Sequence, residues 1–174
     1  MAGALSVLAA SPSGAPDAEC IEAAVAPLLH LLHPSPLAAD AAEQALWVLA
    51  AMTARRSGGD AALAAPVLPP LLAVLRAHRG RGEASEALCG RACRVLRNLV
   101  CVAGWGGAGV GAGIEAVRAA GGAAALAAAV AARPGSDSMR HGRVALRALG
   151  CNEEGAPLSA EEREHALLAD EEEE

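Results

Sequence analysis

Apolar residues in this chain gather in four short blocks separated by polar and glycine-rich stretches. The fullest block is Arg91-Ala-Cys-Arg-Val-Leu-Arg-Asn-Leu-Val100. Its second half is echoed by Ala4-Leu-Ser-Val-Leu-Ala9, Ala45-Leu-Trp-Val-Leu-Ala50 and Ala145-Leu-Arg-Ala-Leu-Gly150. The second leucines of the four blocks are Leu8, Leu49, Leu99 and Leu149, at steps of 41, 50 and 50 residues. A helical motif returning at that interval predicts a stack of helical repeats. Ala42, Ala92 and Gly142 each stand seven residues before the repeated leucine. Small residues recurring at one slot predict helices that approach closely there.

A second apolar helix precedes each of the last three blocks, over residues 25–32, 67–75 and 121–130. The first two overlay with Pro27 on Pro70, Leu28 on Leu71 and Leu32 on Leu75. Proline in both suits the first turn of a helix, where its missing N–H is not needed. Pro and Gly after each helix, at 33–36, 79–82 and 133–135, stop it. Shorter opening helices are predicted near 16–24, 60–65 and 113–119. Each unit thus reads as short helix, longer helix, turn, longer helix. Two insertions stretch the period, one at 79–85 and one at 104–113, where six of ten residues are Gly and a mobile loop is expected. After residue 151 comes an acidic segment. In it Ser159-Ala-Glu-Glu162 has the pattern of a capping box, and five consecutive acids at 170–174 are expected to remain solvated.

Composition changes the picture in three ways. The chain is 53% apolar, but about half of that is alanine, so the leucines and valines at repeating positions carry the core. A fully buried Leu or Val contributes roughly 1.5–3 kcal/mol, and an alanine methyl far less. All fourteen basic residues are Arg, and there is no Phe or Tyr. Charge is unevenly placed, with a net of +3 over residues 1–151 and −9 over 152–174. A mildly basic body with an acidic end argues against nucleic-acid binding of the strongly basic kind. Five cysteines, Cys20, Cys89, Cys93, Cys101 and Cys151, read as reduced thiols of a cytoplasmic protein. The longest small apolar run, 119–132, is too short and too rich in Ala and Gly for a membrane span.

No catalytic constellation emerges. Gly104-Trp-Gly-Gly-Ala-Gly109 formally fits a dinucleotide fingerprint, but the preceding residues belong to a repeated helix and no acid follows at the needed distance. Cys89 and Cys93 lie one helical turn apart without the second pair of ligands that zinc requires. No Ser or Cys nucleophile is set by motif, and no cofactor is expected. Arg91, Arg94 and Asn98, at i, i+3 and i+7, share one side of a helix and offer guanidinium forks and an amide to an acidic or backbone-rich ligand. Arg147, with Arg143 or Arg140, extends this patch into the next unit.

Leu28-Leu-His-Leu-Leu32 followed by Ala45-Leu-Trp-Val-Leu-Ala50 resembles the armadillo repeat. So do Leu71-Leu-Ala-Val-Leu75 with Val95-Leu-Arg-Asn-Leu99, and Ala119-Ala-Gly-Gly-Ala-Ala-Ala-Leu126 with Ala145-Leu-Arg-Ala-Leu149. Arg140-His-Gly-Arg-Val-Ala-Leu146 is similar to armadillo units in leucine-rich-repeat kinases and related proteins. The resemblance implies an all-α, right-handed α-solenoid in which the third helix of each unit lines a concave groove. It also implies two groove slots. The asparagine slot falls on Val48, Asn98 and Ala148, and the tryptophan slot on Gln44, Arg94 and Val144. Only Asn98 matches, which speaks against extended-peptide recognition of the nuclear-import type.

These readings give a partial N-terminal repeat helix at 1–14 and armadillo-like units at 15–56, 57–103 and 114–151. A glycine-rich loop at 104–113 and the acidic segment 152–174 complete the chain. The expected function is a non-catalytic scaffold that binds a protein partner through the groove. Its candidate residues are Gln44, Val48, Arg91, Arg94, Asn98, Val144 and Arg147. An alternative is a regulatory module whose acidic segment competes for a basic groove. Beginning inside a repeat leaves an uncapped apolar end, which predicts either self-association or membership of a longer protein.

Overall fold

Three of the four repeated leucines enter one helical core. The computed structural model describes residues 18–32, 39–55, 59–60, 62–63, 66–78, 82–101, 111–159 and 161–162. The expected helix at 1–14, Trp105 with most of the glycine-rich loop, and the acidic run 170–174 lie outside these. Among the described residues the chain is all-helical. It forms α1 (Ala18–Leu31), α2 (Ala39–Thr53), α3 (Leu68–Ala77), α4 (Glu83–Cys101), α5 (Ala112–Ala119), α6 (Gly122–Ala131) and α7 (Arg140–Ala148). A 3-10 turn, Asp137–Met139, leads into α7.

The repeat seen in sequence is a repeat of burial. Ala42, Ala45, Leu46 and Leu49 of α2 are buried, as are Ala92, Val95, Leu96 and Leu99 of α4 and Gly142, Ala145, Leu146 and Leu149 at α7. The i, i+3, i+4, i+7 spacing places each quartet on one stripe of its helix. Helix α4 packs against α2 on one side and α7 on the other, while α3 packs against α4 and α6. Ten leucines and Met139 are the largest fully buried side chains. Each leucine contributes roughly 1.5–3 kcal/mol on burial. In α6 the core residues Leu126 and Val130 are flanked by buried alanines, which let neighbouring backbones come close.

Three boundaries differ from the sequence reading. Pro27 does not open a helix; it lies inside α1, which absorbs the expected short opening helix into one 14-residue element. Proline keeps a helical φ and forfeits one hydrogen bond, so the helix carries on through it. Pro69 and Pro70 do occupy the first turn of α3, as expected. Helix α4 begins at Glu83, within the expected insertion 79–85, and the bond from Glu86 N to Gly82 O, 2.9 Å, closes its first turn. Helix α5 begins at Ala112, so the last residues of the expected loop are helical. Gly113 belongs there for packing: a Cβ on it would lie 2.1 Å from Leu99 O.

Gly121, with φ of 76°, turns the chain by 74° between α5 and α6. Helix α7 ends in a Schellman motif. Gly150, at φ 67°, donates to Arg147 O and Cys151 N donates to Leu146 O. The chain then folds back through one bridge between Cys151 and Pro157, and Gly155 comes to rest against Ala123 and Ala127 of α6. The capping box forms as the sequence indicates. Glu162 N donates to Ser159 Oγ (3.3 Å), and Ser159 N donates to the Glu162 carboxylate (2.8 Å). No single helix among the described residues is long and apolar enough to cross a membrane.

A candidate binding face on α2, α4 and α7

Helices α2, α4 and α7 run parallel in nearly constant register. Glu43 meets Arg91 and Ala50 meets Asn98, both pairs 48 residues apart, so α2 and α4 point the same way. Gly90 abuts Ser138 and Cys93 abuts Gly142, which fixes α7 beside α4 at an offset of 48–49 residues. Slots that correspond in the repeat therefore line up across three helices. Gln44 and Arg94 are exposed, and Val144 is half-buried, forming one row across the solvent side. Val48 is half-buried against the core. Arg147 is exposed on α7.

Arg91, Arg94 and Asn98 do not act together as the sequence suggests. At 3.6 residues per turn, Arg91 and Asn98 point within roughly 20° of each other, whereas Arg94 is rotated by roughly 60°. The structure uses the first two as links to α2. The Arg91 guanidinium pairs with Glu43 at 2.7 Å. Asn98 is only 3% exposed and donates to Ala50 O at 3.0 Å and Thr53 Oγ1 at 3.3 Å. Asn98 is thus an interhelical clamp within the fold, and its amide does not line the open face. Arg94 alone of the three projects fully to solvent.

Arg94 and Arg97 on α4, and Arg140 on α7, all bear electrostatically on His141 of α7. Arg97 lies a further roughly 60° around α4, on the side of α7. Burial depresses the His141 pKa most, and the charges of Arg97, Arg94 and Arg140 depress it further. Those three guanidinium groups therefore act on one imidazole. None of them has an ion-pair partner among the described residues, and Arg97 Nε is buried without an acceptor there. By contrast Arg143, on the same helix, pairs with Glu153 at 3.1 Å. On α2 Trp47 stands 54% exposed, the one large apolar side chain to do so among the described residues. The offset of 48 residues sets it level along the helix axes with Val95, which faces the core.

Sequence reasoning passed over Arg97 because it occupies neither repeat slot. Its position three residues from Arg94 was the available signal. His141 was recognisable only once α7 lay against α4.

The remaining sequence candidates have structural roles. Cys89 Sγ donates to His78 O at 3.1 Å, and Arg133 Nη2 donates to the same oxygen at 2.7 Å, so the carbonyl just past α3 is held from α4 and from the end of α6. Burial pushes the Cys89 thiol up and raises Cys93 to about 12, which keeps both protonated at neutral pH. Glu86 accepts from Ser136 (2.6 Å) and Ser138 (2.7 Å), tying α4 to the turn before α7. Those two hydroxyls hold its carboxyl below the usual range. Compared with models of known families, with curated proteins and with solved structures, the chain matches none.

Proposed function

We propose that this chain is a non-catalytic protein-binding module, an armadillo-like right-handed α-solenoid that engages its partner on the face of α2, α4 and α7. Support for the solenoid comes from burial quartets recurring at 50-residue steps and from parallel neighbours at an offset of 48–49 residues. Stacked units of this kind present an extended surface suited to binding another chain.

One observation carries the functional reading. Arg94, Arg97 and Arg140 all bear electrostatically on His141 and have no ion-pair partner among the described residues, and Trp47 is exposed on α2. Like charges held together are offset when a carboxylate-bearing ligand arrives, and guanidinium forks bind carboxylates in bidentate geometry. Trp47 adds an apolar anchor of the type enriched at binding hot spots. The partner this face fits is an acidic segment of another protein. An array of acidic, neutral and basic peptides, probed with the wild type and with an Arg94→Ala/Arg97→Ala/Arg140→Ala chain, tests it. Acidic peptides retained by the wild type and released by the variant, with unchanged circular dichroism, support the proposal. Equal labelling of all three peptide classes rejects it.

A further inference from the structure

We infer that residues 150–158 form a terminal cap, a strap that covers the outer flank of α6 and α7 and keeps a second copy of the chain from stacking there. This rests on the stacked-repeat reading and adds how the stack is closed on that side.

Successive helices cover one another's flanks. Helix α4 packs on α2, α7 on α4, and α6 on α3. The outer flank of the last pair is met instead by the strap. On α7, Gly142 abuts Cys93 of α4. Arg143, the next residue, is rotated by about 100° and pairs with Glu153 of the strap at 3.1 Å. On α6, the strap sets Gly155 against Ala123 and Ala127. A Cβ on Gly155 would lie 3.0 Å from Ala127 Cβ and 3.4 Å from Ala123 O, and Ala127 beneath it is buried.

Hydrogen bonds hold the strap in that position. Cys151 N donates to Leu146 O at 2.9 Å, and Leu158 N returns to Gly150 O at 2.8 Å, so the loop is closed at its root. Arg118 of α5 fixes that root by donating to Leu149 O at 2.7 Å. Within the loop, Asn152 N donates to Ala156 O and Asn152 Oδ1 accepts from Ala156 N, both at 2.9 Å. Gly155, at φ 81°, completes the turn by donating to Asn152 O at 3.0 Å.

The strap's outer side resists stacking. Glu153, Glu154, Ala156 and Pro157 are exposed. An apolar neighbour would have to desolvate two carboxylates, and Pro157 has no N–H with which to extend its bridge to Cys151. Apolar contact inward and polar groups outward are what the end of a repeat stack needs to stay soluble. Uncovered, the same flank would accept a helix pair of matching spacing, and another copy of this chain supplies one.

The experiment opens the strap in the full chain with Asn152→Ala and Gly155→Val. Valine is strained at positive φ and strikes Ala127. Amide exchange is expected to rise in α6 and α7 and to stay as in the wild type in α2. Light scattering should show association beyond that of the wild type, growing with concentration. Adding Ala127→Glu, which charges the uncovered flank, should return the opened chain to the wild-type mass. Unaltered exchange in α6 overturns the inference, as does association equal to the wild type or untouched by Ala127→Glu. If the double variant loses its circular dichroism, Asn152→Ala with Glu153→Ala, which spares the strained glycine, is read in the same way.

Acidic-peptide retention separates the cap from the binding face. The opened chain should retain peptides as the wild type does; a loss at unchanged circular dichroism would make the strap part of the binding face and overturn the cap. A wild type that retains no acidic peptide, while the strap variants associate as expected, leaves the cap standing and removes only the acidic partner.

Discussion

The two sides of α4 are joined to their neighbours by different physics. Towards α2 the seam is polar: Asn98 clamps Ala50 and Thr53, and Arg91 pairs with Glu43. Towards α7 the helices meet sterically, and the polar link, Glu86 to Ser136 and Ser138, goes to the turn before α7. A Cβ on Gly142 would lie 3.0 Å from Val130 Cγ2 and 3.2 Å from Cys93 Sγ, and one on Gly90 would lie 2.9 Å from Ser138 Cβ. Directional bonds specify register at modest net energy. Close approach without side chains gains packing and tolerates little enlargement. Equivalent positions of a repeat have thus been put to different uses, which is why Asn98 has no counterpart in Val48 or Ala148.

The steric side should break hardest. Gly142→Leu is expected to destabilise by about 3 kcal/mol, because Val130 and Cys93 leave it no room. An unaltered thermal midpoint would remove the close-approach description of that seam. Next comes the clamp. Asn98→Ala should cost about 1 kcal/mol, and a double-mutant cycle with Thr53→Val should reveal coupling, since the two side chains share a hydrogen bond. Strict additivity would show that the amide contributes nothing across the seam. Smaller again is Arg91→Ala, at about 0.2–1 kcal/mol, fading as salt is raised; a salt-independent loss would point to packing of the arginine stem instead.

The pH response sharpens the comparison further, because Glu86 and His141 both sit on the α7 side. Glu86 has its pKa lowered by Ser136 and Ser138, so the folded chain binds fewer protons than the unfolded one near the ordinary carboxylate value. Its contribution is complete above that value and is lost as pH falls through the lowered one. Ser136→Ala with Ser138→Ala should flatten this acid limb of the stability curve, whereas Arg91→Ala should leave it in place. His141 acts in a separate window. Its pKa is depressed from 6.5, so stability declines as pH drops from that value to the lowered one. His141→Gln should remove that decline, as read from denaturant midpoints at a series of pH values.

Much of the helical architecture was legible because it rests on spacing. Leu49, Leu99 and Leu149 are buried to the same degree, at 0%, 0% and 1% exposure, and the small residues seven positions earlier are buried as well. The Ser159 to Glu162 capping box was equally readable, since it depends on residues three apart. Rotation within a helix was harder to read. Asn98 and Arg94 are four residues apart, yet one turns to α2 and the other to water, and only the position of the neighbouring helix decides that. Pro27 misled for a related reason: a residue that commonly begins helices is also tolerated inside one that packing holds in place. The patch around His141 draws on α4 and α7, about fifty residues apart, so no local pattern announces it.

Among the described residues helix α4 touches α2, α3, α5, α7 and the turn before α7, whereas α1 packs chiefly on α2. An amide in the middle of α4 can exchange with solvent only when several neighbours have already let go. Its protection should therefore approach the free energy of unfolding the whole chain, while α1 opens alone at a fraction of that cost. Deuterium would enter this molecule from its flank, and the last protons retained would mark the helix that touches most of the others.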